Sequence, residues 1–153
     1  MRRLEEILDI VRSRSIYSQG ELVEALGHRG WQTTQATVSR DVRHLGLAKV
    51  SLGSGRSRYV EPAEMERVQE TSERGLAELR RALRRSALSV ETGGALLVIT
   101  TPSGHANAAA VALDEAHWPE IIGTLAGDDT VLIVLRDATA RDQIHQAIDR
   151  LIE

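Results

Sequence analysis

The sequence predicts an α+β protein in two parts: three short helices and a basic hairpin, then a small sheet covered by helices. Two observations carry this. Charge divides along the chain, with ten Lys/Arg against six Asp/Glu in residues 1–60 and nine against sixteen in residues 61–153. Apolar spacing divides with it, helical up to Leu45 and alternating between strand-like runs and helical stretches from Ala87 onward. A basic part joined to an acidic part is the pattern of a chain whose first part meets a polyanion.

The composition narrows the class further. Of the 153 residues, 42% are hydrophobic and 27% charged, an ordinary balance for a globular protein, and Phe is absent, so the cores must be built from aliphatic side chains. Small aliphatic cores bury limited area per residue, and oligomerisation commonly makes up the difference. With no Cys there are no disulfides and no thiolate metal sites, which fits a reducing, cytoplasmic setting. Apolar runs such as Val131–Leu135 fall far short of the roughly 20 residues of a membrane span. Arg2 and Arg3 precede an amphipathic stretch with Glu5, Glu6 and Asp9, which reads against a signal peptide.

Leu4, Ile7, Leu8 and Val11 follow the spacing of an amphipathic helix, and Ser13–Tyr17 reads as a break. Ser18-Gln19-Gly20-Glu21 matches a capping box opening a second helix, which Gly27 and Gly30 end. A third helix starts at Thr33 or Thr34 and stops at Gly46. On a wheel of about 100° per residue, Val38, Val42 and Leu45 share one face. Ala36, Ser39, Arg40 and Arg43 share the opposite one, with Thr37 and His44 beside them. Small residues among forked cations suit a helix that enters a major groove, although for an isolated helix this face reads rather as a solvated one.

The next stretch decides between those readings. Leu47–Leu52 and Arg58–Val60 read as strands joined by Gly53-Ser54-Gly55-Arg56-Ser57, a hairpin with Arg56 at its tip. Three helices and a basic-tipped hairpin make a winged helix-turn-helix, expected over residues 1–60. The third helix would read the major groove while the tip follows phosphates or the minor groove.

Residues 61–73 are polar and charged without a clear apolar stripe and are read as a linker. Arg74–Ser86 sets Leu76, Leu79 and Leu83 at helical spacing, with Arg80, Arg81, Arg84 and Arg85 among them. That cluster is read as closing a helix C-terminus and pairing with acidic neighbours rather than touching DNA. The second domain, residues 74–153, continues with strands at Ala87–Glu91 and Ala95–Thr101 around Gly93-Gly94. A helix follows from Ala106 to about Ala116, then strands at Ile121–Ala126 and Val131–Leu135, and a last helix from about Ala140. The sum is a small sandwich-like α/β domain.

Its most informative segment is Gly127-Asp128-Asp129-Thr130. Paired aspartates in a tight turn are ordinary loop chemistry. They also suit a guanidinium held by charge-assisted bidentate hydrogen bonds. A divalent metal is the third possibility, though His105 and His117 lack a persuasive ligand spacing.

Three segments together resemble the bacterial arginine repressor family over essentially the whole chain. They are Gln35-Ala36-Thr37-Val38-Ser39-Arg40-Asp41, then Gly104-His105-Ala106 running to Leu113-Asp114, then Ile122-Gly123-Thr124-Leu125-Ala126-Gly127-Asp128-Asp129-Thr130. The resemblance implies a winged helix-turn-helix followed by a domain that trimerises and stacks into a hexamer. It implies L-arginine as co-repressor at the trimer–trimer interface and operator DNA near arginine-metabolism genes as the other partner, with no cofactor, metal or enzymatic activity. By matching position, Asp128 and Asp129 would take the guanidinium, and Asn107, Asp114, Thr124 and Ala126 would complete the pocket. Ser39 and Arg40 would be central DNA contacts, with Gln35, Thr37 and Arg43 flanking them and Arg56 and Arg58 on the wing. Two positions depart from the family pattern. Ser103 stands where Pro is usual, with Pro102 one place early, and Asn107 stands where a longer Gln is frequent. Three rival readings remain: the same architecture with lysine, ornithine or citrulline as effector; an acid–base or metal enzyme using Asp114, Asp128, Asp129, His105 and His117; and an architectural DNA-bending or recombination-accessory protein.

Overall fold

The structure, a computed structural model, describes residues 2–153. The chain falls into two compact units, the first running up to Ser51 and including Arg56–Glu70, the second comprising Leu52–Gly55 and Thr71–Glu153.

The first unit is built on three helices, α1 (Arg2–Ser13), α2 (Gln19–His28) and α3 (Gln35–Leu45), and the hairpin strands β1 (Ala48–Ser51) and β2 (Ser57–Val60). The starts of α2 and α3 have local causes. Ser18 caps α2, its hydroxyl accepting from the Glu21 amide at 3.1 Å, while the Glu21 carboxylate accepts from the Tyr17 amide at 2.9 Å. Thr34 caps α3 by accepting from the Thr37 amide. The helix stops at Gly46, whose φ of 68° lies in the left-handed region that glycine adopts without penalty. Ile7 and Ile10 of α1, Leu22 and Leu26 of α2 and Val38 of α3 form the core with Ile16 and Tyr59, all nearly inaccessible. The Tyr59 amide donates to the Ile16 carbonyl at 2.9 Å, tying the hairpin to the α1–α2 connection.

After a short 3-10 turn at Pro62–Glu64, helix α4 runs unbroken from Met65 to Ser86. The helix expected from Arg74 therefore begins nine residues earlier, within the stretch read as a linker. Residues 65–73 contain no Gly or Pro to stop a helix, and Glu64 and Arg67 pair within the first turn. The boundary between the two units falls inside this helix, between Glu70 and Thr71.

The second unit carries a four-stranded antiparallel sheet, β3 (Ser89–Gly93), β4 (Leu96–Thr100), β5 (Ile121–Ala126) and β6 (Thr130–Leu135), in the order β3-β4-β6-β5. Helices α5 (Ala106–Glu115) and α6 (Arg141–Ile152) pack with α4 on one face. The short 3-10 turn before α6 is capped by Asp137, whose carboxylate accepts from the Thr139 amide at 2.9 Å and is held below its ordinary pKa by that bond. Alternation along the strands sends Leu97, Ile99, Val131, Ile133 and Leu135 into the core with Leu79, Leu83, Leu113, Ile144 and Ile148. The alternate residues Leu96, Val98, Leu132, Val134 and Leu125 lie on the other face. Register aligns them in rows, Val98 opposite Leu132 opposite Leu125, and Leu96 opposite Val134. Among the described residues no helix covers this aliphatic face, and Leu125 is 68% exposed.

Candidate nucleic-acid interface and effector site

Helix α3 presents its polar side outward. Gln35, Ala36, Arg40, Arg43 and His44 are exposed, whereas Thr37 and Ser39 are half-buried along the edge of that face. Thr37 is occupied locally, its hydroxyl 3.1 Å from that of Thr34 as part of the cap. The arginines of this unit differ in what they meet. Arg3 is bound to Asp41, Arg12 to Glu61, and Arg29 to Glu6 and Asp9, and these hydrogen bonds raise all three guanidinium pKa values. Among the described residues Arg40 and Arg43 have no acidic partner. Their donors are free for a polyanion, on a helix whose cap and left-handed stop fix its ends.

The two wing arginines separate. Arg56 lies over the Tyr17 ring, 5.3 Å from its centroid, a cation–π arrangement that holds it at the side of the α1–α2 connection. Arg58 is half-buried and lines a cleft of about 440 Å³ with Arg12, Tyr59, Glu61, Glu64 and Arg67. Lys49, which the sequence reading passed over, is exposed on β1 with its ammonium 5.1 Å from the Tyr59 ring centroid. Only the alternation of the hairpin residues could have marked it as outward-facing.

In the second unit the candidate effector residues follow the seam between α5 and the edge strand β5. Asn107 and Asp114 are seven residues apart and so share one face of α5, about 10 Å apart along its axis. Thr124 and Ala126 lie on the helix-covered side of β5, opposite Ile133 and Val131. The Thr124 hydroxyl donates to the Asp114 carboxylate at 2.8 Å, joining strand to helix. Both line a cleft of about 510 Å³ with His117, Trp118, Ile122 and Arg136. Sequence spacing gave no sign of Arg136, which comes in from the end of β6, its guanidinium donating to the Pro119 carbonyl at 2.9 Å.

The β5–β6 turn closes the other end of the seam. The Asp128 carbonyl accepts from the Gly104 amide at 2.9 Å and from the Ala106 amide at 3.4 Å, and the Asp129 carbonyl accepts from the Thr101 amide at 2.7 Å. Gly104 has a φ of 83°, so the β4–α5 turn meets Asp128 in a shape that glycine allows, with Ser103 just before it. The carboxylates of Asp128 and Asp129 remain exposed, as does Asn107 on the next turn. Uncompensated acidic groups are thereby set along one edge of the domain. Among the described residues no three His, Asp or Glu side chains converge as a metal site.

Comparison with known proteins accounts for both units. Residues 1–67 match the family model described as the arginine repressor DNA-binding domain, and residues 83–150 match that of the arginine repressor C-terminal domain. The arginine repressor of Heliobacterium modesticaldum is 42% identical over 152 residues, covering 99% of this chain and 98% of the relative. That of Thermus thermophilus is 44% identical over 150 residues, covering 98% and 88%, and that of Exiguobacterium sibiricum 40% over 146 residues, covering 95% and 94%. This chain belongs to the arginine repressor family.

In this arginine repressor family member the DNA-binding match spans α1 to the start of α4, and the C-terminal match spans the whole sheet with α5 and most of α6. The family consists of DNA-binding transcriptional repressors. The outward face of α3 and the acidic seam of the second unit thus fall one in each matched domain. The matches leave residues 68–82 of α4 between them.

Proposed function

We propose that this chain is an arginine-dependent transcriptional regulator. It binds operator DNA through α3 and the hairpin and represses arginine-biosynthesis genes, with L-arginine as co-repressor. The observation that carries the reading is the α5–β5 seam, where Asn107, Asp114, Thr124, Asp128 and Asp129 line one domain edge with their carboxylates open to a cation. The guanidinium of the ligand meets Asp128 and Asp129. Asn107, Asp114, Thr124 and Ala126 complete the pocket, contacting the ligand's α-amino and α-carboxylate ends or shaping the wall. The residues from 92 to 153 hold three Arg against nine Asp/Glu, which favours a cationic ligand over a neutral one such as citrulline.

The functional particle is a hexamer of two trimers, in a cytoplasmic setting, with arginine between the trimers. The bare aliphatic face of the sheet supports assembly, because an exposed patch of this kind is stabilised by burial against another copy. Aspartates brought together from facing subunits repel, and a bound guanidinium removes that repulsion. Arginine therefore strengthens operator binding by ordering the assembly and bringing several DNA-binding domains to one site, through mass action and effective concentration. The DNA-binding domain is assigned to residues 1–60 and the assembly domain to residues 74–153.

Sedimentation of the full chain with and without millimolar L-arginine, repeated with Asp128→Asn, tests the reading. A wild type that shifts toward, or tightens, a hexamer while the variant does not supports it. A wild type indifferent to arginine overturns the co-repressor assignment. Competition calorimetry with lysine and ornithine separates arginine from other cationic amino acids.

A further inference from the structure

One charge in the first unit occupies a position that its own helix disfavours: Arg3 sits in the first turn of α1, where the helix dipole favours an anion. Asp41, one turn before the end of α3, is buried, only 8% exposed, beside the core residues Val38 and Val42. A buried carboxylate is strongly unfavourable without a partner. Its partner is Arg3, whose guanidinium donates through Nε at 2.6 Å and Nη2 at 3.1 Å to the two carboxylate oxygens. The contact is bidentate and joins residues 38 apart in sequence. Hydrogen bonding to Asp41, and then its charge, raises the Arg3 pKa.

The placement of Asp41 on α3 gives this clamp a consequence. On the helical wheel Asp41 lies beside the core face, well away from Arg40 and Arg43. Val38 and Val42 can slide against aliphatic neighbours with little loss, because apolar contacts are non-directional. A two-pronged guanidinium–carboxylate contact cannot, because its geometry fixes orientation as well as distance. Side chains on α3 stand about 6 Å from its axis, so a roll of about 10° moves them by about 1 Å. Displacement on that scale spoils positioned hydrogen-bonding groups.

We propose that Arg3 is a positioning residue for DNA recognition, clamping Asp41 so that the roll of α3 is fixed and Arg40 and Arg43 meet base edges in register. The inference rests on the reading of α3 as the base-reading helix. It predicts that loss of Arg3 lowers the preference for one DNA sequence over another more than it lowers affinity for DNA in general.

The test uses the full chain with two duplexes: one selected by the wild type from a random pool, and one of the same composition in scrambled order. Both are measured with L-arginine present. Arg3→Ala is expected to reduce the ratio of the two affinities by roughly five- to a hundredfold, the range for one misaligned bidentate base contact. Affinity for the scrambled duplex and its salt dependence should stay near the wild-type values. Arg3→Lys, which keeps the charge but loses the fork, should fall between, and it serves as the working variant if Arg3→Ala does not fold. A variant that merely unfolds more easily loses thermal midpoint with the ratio unchanged, and that outcome overturns the inference. So does an equal loss on both duplexes with a shallower salt slope, which would make Arg3 a phosphate contact. A wild type with no preference between the duplexes overturns both this inference and the reading of α3; a preference that Arg3→Ala retains overturns this inference alone.

Discussion

Replacing Leu125 with Ser tests whether the bare side of the sheet is an assembly surface. The side chain is 68% exposed and ends the row Val98–Leu132–Leu125, so it contributes little to the fold of a single chain. Complete burial of a leucine side chain stabilises by about 1.5–3 kcal/mol. About two-thirds of its surface is still open in the single chain, leaving about 1–2 kcal/mol to be gained per subunit on association. A trimer in which each copy buries Leu125 would lose about 3–6 kcal/mol on substitution, a change of roughly a hundredfold to more than ten thousandfold in its association constant. Sedimentation equilibrium over a dilution series measures that change, and circular dichroism checks that secondary structure is kept. An unchanged association constant with the fold intact would refute the assignment of this face to a subunit contact. A collapse of the fold at low concentration would instead show that the monomer depends on its neighbours for stability.

Two further predictions concern the DNA-binding unit. Arg40→Ala, which removes a guanidinium with no acidic partner, should leave the thermal midpoint near wild type. If Arg40 binds phosphate, the slope of log affinity against log salt should fall by about one; if it reads a base, sequence preference should fall by about 1–3 kcal/mol, and affinity titrations on both duplexes separate the two. Gly46→Ala places a Cβ at φ 68° and 3.2 Å from Cγ of Pro62, so denaturant unfolding should show a loss of about 1–2 kcal/mol from the left-handed strain. A neutral result there would mean that the α3 stop relaxes more readily than its geometry implies.

The parts of the molecule legible in the sequence are those fixed by near neighbours. Ser18, Thr34 and Gly46 act within three or four residues, and the start of α2 and both ends of α3 follow from them, whereas α2 runs through Gly27 to His28 before Gly30 turns the chain. The alternation of Leu96–Thr100 and Thr130–Leu135 likewise marks two central strands. The start of α4 was missed because it depends on the absence of breakers in a charged stretch rather than on an apolar stripe; Val68 is its one buried residue before Thr71. The Arg3–Asp41 clamp was invisible for a different reason. Its partners are 38 residues apart, and each taken alone looks like a surface charge. The Thr124–Asp114 bond and the approach of Arg136 depend in the same way on how β5, β6 and α5 come together. The acidic turn was readable as a motif, whereas what holds it in place was not.

The hydrogen bonds at that turn divide its work between two kinds of atom. The main-chain carbonyls of Asp128 and Asp129 anchor the neighbouring turn through the amides of Gly104, Ala106 and Thr101, while both residues are exposed and the Asp129 carboxylate accepts from the adjacent Thr130 hydroxyl at 2.9 Å. Every residue type has the same carbonyl. Exchanging either aspartate for asparagine, serine or glutamate changes the electrostatic character of the domain edge and leaves the anchoring in place. Ligand preference at this edge can therefore drift through single substitutions without the scaffold being rebuilt around each one.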